Sequence, residues 1–251
     1  MQARESGFES LDTLLADHNI DGQAIVPAGY YLARLLADTS TAGLMDVRFE
    51  ARAQSFEGVG TEQTADRFAV TIANTTVASA STLEQHSHDQ QQPWTLDSGH
   101  YLQRTAIYQK FARMGYCYGD SLRLLRWACV VDDKVQASVL PARSFALPLS
   151  PAIIDAGLQT ALLLDDGEAG PAWVPWMAER VERLSTHAAI AYVCCQRREK
   201  TARSVTHDFE FLAQDMSPVL RIQGLVSLNP THDVARGQKP AARPKVVLHE
   251  L

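Results

Sequence analysis

Two proline-started helices that are apolar nearly all round constrain this chain of 251 residues more than any other feature. The first follows Pro27, with Tyr31, Leu32, Leu35 and Leu36 at helical spacing and a polar exit through DTSTAG. The second is LSPAIIDAGLQTALLLDDG, Leu149 to Gly167, with Ser150 as N-cap, Pro151 at the first helical position and Gly167 as the stop. A helix with no polar face has to be buried, so each needs a sheet or another helix wrapped around it.

Strand-like segments follow each helix and supply that wrapping. After the first come LMDVRFEARAQSF and RFAVTIANTTVASASTL; after the second come VERLSTHAAIAYVCCQRR, VTHDFEFLAQ and VLRIQGLVSL, the last two joined by the turn DMSP. Ahead of the second helix, SLRLLRWACVV and KVQASVLPA read as a hairpin around Asp132 and Asp133. The pattern predicts an α+β chain in which two antiparallel sheets each wrap a central helix. The halves run over 8–84 and 105–230, with a polar, Gln-rich linker at 85–104 and a Pro-punctuated tail at 231–251 read as an interdomain tether.

Composition narrows the partners. A formal net charge of −6 gives no basic patch for nucleic acid. No apolar run reaches the length of a membrane span, and the start MQARESGFES lacks the order of a signal peptide, so a cytoplasmic location and no membrane partner are expected. Cys117, Cys129, Cys194 and Cys195 show no C-x-x-C spacing, and His86, His88 and His100 in the linker have no Cys or Glu completing a ligand set, so no metal is expected.

Chemistry concentrates around the helix starts. Asp155 and Gln159 stand four residues apart, hence on one face of the second helix. An ionised Asp amid Ala152, Ile154, Ala156 and Leu158 is costly to bury, which favours a protonated carboxyl hydrogen-bonded by Gln159, as a general acid requires. His18, in a loop ahead of the Asp21–Gly22 turn, offers the complementary base. If the two helices pack together, base and acid face each other across a shared cleft.

These residues resemble the dehydratase domains of modular polyketide synthases. HNIDGQAIVP, from His18 to Pro27, fits the H-x3-G-x4-P signature, and DAGLQ, from Asp155 to Gln159, fits D-x3-Q/H; YQKFARMGYCYGDSLRLL resembles the Y-G-x-x-F block through Tyr118 and Gly119. The resemblance runs from Phe8 to Pro230. It departs from the family at Ala28, Asp120, Leu122 and Ser150, where glycine, proline, phenylalanine and histidine are usual, and in a short lead before His18.

The resemblance implies a double hot-dog fold. It makes His18 the base that takes the α-proton of a β-hydroxyacyl thioester and Asp155 the acid that protonates the departing hydroxyl, with Gln159 positioning Asp155 and Tyr118 assisting at the hydroxyl. Gly22 and Pro27 shape the approach to the helix, and the backbone N–H groups of Ala28 and Gly29 hold the thioester carbonyl. No cofactor is implied beyond the phosphopantetheine arm of the acyl carrier protein that carries the substrate. The partners implied are that carrier protein and neighbouring synthase domains, with a homodimer among the assemblies allowed. Three readings stay open: a dehydratase; a bifunctional dehydratase and oxa-Michael, pyran-forming cyclase, or a double-bond isomerase, of the same fold; and an inactive structural domain.

Overall fold

The computed structural model describes residues 10–37, 42–64, 67–84, 98–142, 145–165 and 172–229. In chain order its elements are α1 (Leu11–Ala16), β1 (His18–Ile20), β2 (Gln23–Ala24), α2 (Ala28–Ala37), β3 (Gly43–Phe49), β4 (Gly60–Gln63), β5 (Arg67–Ile72) and β6 (Thr75–Leu83). They continue with β7 (His100–Gln103), α3 (Arg104–Arg113), β8 (Tyr116–Tyr118), β9 (Leu125–Val131), β10 (Lys134–Val139) and α4 (Pro151–Gln159). After a 3₁₀ turn at Thr160–Leu164 come β11 (Val174–Arg183), β12 (Tyr192–Lys200), β13 (Ser204–Leu212) and β14 (Pro218–Leu228).

The fold is a double hot-dog. Strands β4-β5-β6-β3 wrap α2, and β11-β14-β13-β12-β10-β9-β7 wrap α4, all pairs being antiparallel. The two wraps are not separate sheets, however. β3 pairs with β11 through partners such as Val47 with Ala178 and Leu44 with Val181, so the ladder runs unbroken through eleven strands. Joining the edges satisfies backbone groups that each half would otherwise leave open.

The two helices begin where the prolines place them: α2 directly after Pro27 and α4 at Pro151. Their apolar surfaces supply the core, Leu32 and Leu35 from α2 and Ile154 and Ala156 from α4, none more than 1% exposed. Ser150 holds the N-cap backbone conformation, but its side chain makes no capping bond. The second helix is shorter than its sequence implies, turning 3₁₀ after Gln159; Gly167 lies outside the described residues.

Several strand segments divide at turns that hydrophobic pattern alone does not reveal. RFAVTIANTTVASASTL is a hairpin, with Ala73 and Asn74 at φ 47° and 60° in a tight turn between β5 and β6. VERLSTHAAIAYVCCQRR is the end of β11 and the start of β12. The hairpin around Asp132 forms as expected, with Val131 opposite Lys134 and Asp132 at φ 48°. At the end of the segment assigned to the linker, His100–Gln103 is strand β7, paired with β9, and His100 is exposed. His86, His88 and the tail 231–251 lie outside the described residues.

His207 on β13 introduces a pH dependence. It is 4% exposed, its Nδ1 has no hydrogen-bond partner among the described residues, and burial lowers its pKa to about 4. Between that value and the ordinary histidine value of about 6.5 the unfolded chain binds a proton that the folded one refuses. Stability should therefore fall as pH drops through this window, by on the order of 3 kcal/mol. The denaturant midpoint of His207→Leu should be flatter over the same window; equal slopes would assign the loss to other groups.

Candidate active site

A small second sheet, β2-β1-β8, ties the two halves together and carries the first group. Asp21 and Gly22, at φ 51° and 77°, form the two-residue turn between β1 and β2, the left-handed geometry for which Asp-Gly is suited. β8 pairs on the other side of β1, setting His18 opposite Tyr118. His18 is therefore not a loop residue. It is the first residue of a strand and only 6% exposed.

The histidine is clamped at both ends. Its carbonyl accepts from Ile25 N–H at 3.0 Å, and its Nδ1 stands 2.6 Å from the Ile25 carbonyl. A carbonyl only accepts, so Nδ1 carries the hydrogen, and in the neutral ring the lone pair sits on Nε2. That nitrogen lies 3.9 Å from Asp155 Oδ1. A base lone pair from one half thus faces a carboxyl oxygen from the other, with neither group more than 7% exposed at its side chain.

Close packing of α2 on α4 produces this approach. A Cβ added at Gly29 would come within 2.5 Å of the Pro151 carbonyl oxygen and 2.7 Å of the Asp155 nitrogen, both backbone atoms that cannot swing aside. Gly29→Ala should therefore push the helices apart, lowering stability by about 1–3 kcal/mol and separating His18 from Asp155. An unchanged denaturant midpoint would show that the contact is not tight in solution. The same contact puts the start of α2 beside Asp155. The N–H groups of Ala28 and Gly29 lie in its first turn, where a helix has no internal acceptors.

Gln159, 2% exposed, fixes the orientation of the carboxyl. Its Nε2 lies 3.1 Å from the Leu122 carbonyl and 3.0 Å from Asp155 Oδ2. The Leu122 oxygen can only accept, which identifies that end of the amide as nitrogen. Oδ2 therefore receives an N–H, which leaves Oδ1, the oxygen that faces His18, as the place for a proton on this carboxyl.

Tyr118 closes the group. Its ring centroid is 5.7 Å from that of His18, and its hydroxyl has no hydrogen-bond partner among the described residues. Burial, with the nearby Asp155 and Tyr116 as lesser causes, raises it well above the usual phenol value. It stays protonated and can donate.

Two residues that the sequence did not single out help to build the site. Asp17, just before His18, accepts Gly119 N–H through its carbonyl and Ser121 N–H through Oδ2, both at 2.8 Å, which pins the turn after Tyr118. Tyr108 on α3 places its hydroxyl 3.2 Å from Gln159 Oε1. Ile107, Tyr108 and Phe111 are buried together, a helical spacing that was visible in the sequence but not connected to the site. Among the described residues no cluster of three metal-ligating side chains occurs, and no helix is long and apolar enough to cross a membrane. Asp120 is exposed.

A double hot-dog with a histidine and an aspartate facing each other across its halves defines the architecture to be compared with known proteins. The family model "Polyketide synthase dehydratase N-terminal domain" matches residues 75–236. The chain belongs to the polyketide synthase dehydratase family. It is similar in fold to the dehydratase domain of a mycocerosic acid synthase-like polyketide synthase, at 20% identity and TM-score 0.72 over 86% of each chain. A trans-AT polyketide synthase dehydratase domain from Brevibacillus brevis matches at 17% identity and TM-score 0.71, over 89% of this chain and 92% of that one. The dehydratase domain from the CurJ module of curacin polyketide synthase matches at 17% and 0.69, over 92% and 96%. No curated protein sequence matches.

Proposed function

We propose that this domain eliminates water from a β-hydroxyacyl thioester carried on the phosphopantetheine arm of an acyl carrier protein, giving the α,β-unsaturated thioester. The observation that carries the proposal is the facing of His18 Nε2 and Asp155 Oδ1 at 3.9 Å, each with its other polar atom already committed. His18 Nε2 takes the α-proton, and the electron pair of that C–H bond forms the new double bond. The β-hydroxyl leaves with the Oδ1 proton as water. Passing the proton from Nε2 back to Oδ1 then resets both groups.

The remaining residues make the step feasible. The α-proton of a thioester is weakly acidic, so the charge that develops on its carbonyl needs donors; the free N–H groups of Ala28 and Gly29 at the helix start supply them. Tyr118 donates to the β-hydroxyl and holds it toward Asp155. Asp21–Gly22 and Pro27 set the strand and helix that bring His18 to this point. As a domain of a modular synthase it works with a carrier protein and with neighbouring domains. The chemistry is acid–base throughout and asks for no further cofactor.

The test is to mix the protein with a β-hydroxyacyl pantetheine thioester and follow mass and alkene absorbance. Loss of one water with a rise in absorbance supports the proposal. A δ-hydroxylated substrate that then loses the absorbance without further mass change would assign the cyclase activity. No water loss from folded protein would assign a structural domain.

A further inference from the structure

We propose that Tyr108 is a positioning residue for the acid, acting through Gln159 to decide which oxygen of Asp155 carries the reacting proton, a role that rests on the dehydratase reading above. The Tyr108 hydroxyl accepts from Leu125 N–H at 3.0 Å and lies 3.2 Å from Gln159 Oε1 and 3.3 Å from the Leu122 carbonyl. It has one proton to give. The Leu122 carbonyl is already served by Gln159 Nε2 at 3.1 Å, whereas Gln159 Oε1 is offered no other donor among the described residues, so the tyrosine proton belongs to Oε1. Burial raises the phenol above its usual value and keeps that proton in place.

The ring itself is held. Arg123 stacks its guanidinium 5.0 Å from the ring centroid, and Phe111 meets it edge-on at 5.6 Å. The result is a directed chain of donors: Leu125 N–H to Tyr108, Tyr108 to Gln159 Oε1, and Gln159 Nε2 to Asp155 Oδ2. Each link fixes the sense of the next. The chain ends by filling Oδ2 and leaving Oδ1, opposite His18, as the site of the proton.

Removing the phenol hydroxyl strands two buried groups, Gln159 Oε1 and Leu125 N–H. Groups left so are costly, and the cheapest relief is for the Gln159 side chain to turn toward Leu125. That turn withdraws the N–H from Oδ2. The Asp155 proton is then shared between two oxygens, and the carboxyl loses its fixed angle to the substrate.

Tyr108→Phe keeps the ring and tests this directly. With the pantetheine thioester, kcat should fall on the order of 10- to 100-fold, the scale on which misplacement of a reacting group is felt, with KM unchanged because Tyr108 does not touch substrate. Gln159→Leu should show a similar loss. The double variant should be no slower than the slower single one, since both changes break the same chain. Losses that multiply, a loss that appears in KM, or an unchanged Tyr108→Phe enzyme would each overturn the inference while leaving dehydration intact. A wild-type protein that releases no water would overturn the dehydratase reading itself, and the role of Tyr108 with it. Thermal denaturation of every variant establishes that the protein compared is folded.

Discussion

Asp155→Asn should stop water loss while leaving the fold unchanged. The amide has nearly the size and shape of the carboxyl, and its oxygen can still accept the Gln159 N–H that now reaches Oδ2 at 3.0 Å. What it lacks is an acidic proton for the departing hydroxyl. General acid–base catalysis by one positioned group is worth about 10² to 10⁴ in rate, and the variant should lose at least that much. The measurement is mass loss from the β-hydroxyacyl pantetheine thioester, with the denaturant midpoint checked alongside. An undiminished rate would identify another acid, and Tyr118, the donor beside the site, would be tested next.

The second large effect is expected at His18. Truncation to alanine is a poor test because the imidazole is buried: its loss opens a cavity and leaves the Ile25 carbonyl without its side-chain donor, at a cost of about 1–3 kcal/mol. His18→Phe fills the space and removes the base. Elimination should fall by about 10² to 10⁴, with a modest drop in stability from the unpaired carbonyl. Exchange of the α-hydrogen of the thioester in deuterated buffer offers a separate reading of the base. Near-normal elimination by folded His18→Phe would remove His18 from the mechanism.

These two residues show how differently parts of one site enter a sequence. Asp155 and Gln159 are one helical turn apart, so their proximity follows from the helix alone, and the bond between them could be anticipated before any fold was known. His18 could be named as a base from its place ahead of the Asp-Gly turn, but not as a buried strand residue. Its environment comes from β8, roughly a hundred residues further along, and from the Ile25 carbonyl, seven residues away round the turn. Asp17 and Tyr108 were missed for the same reason. Their partners lie 104 and 51 residues away in the chain, and no local period reports such contacts.

The architecture divides along the same line. By itself the sequence determined the elements whose cause is local: helices started at Pro27 and Pro151, the Asp21–Gly22 turn, the hairpin at Asp132, and a duplicated pattern of buried helix and antiparallel strands. Backbone sterics and hydrophobic periodicity act within a few residues, so they can be read along the chain. Only the tertiary structure decided that the two sheets fuse through β3 and β11, that α2 and α4 meet at Gly29, and that a three-stranded sheet brings Tyr118 to His18. Edge pairing and helix contact depend on surfaces that exist only once each half has folded. The distance from His18 to Asp155 therefore belongs to the packing of two halves and to neither motif alone.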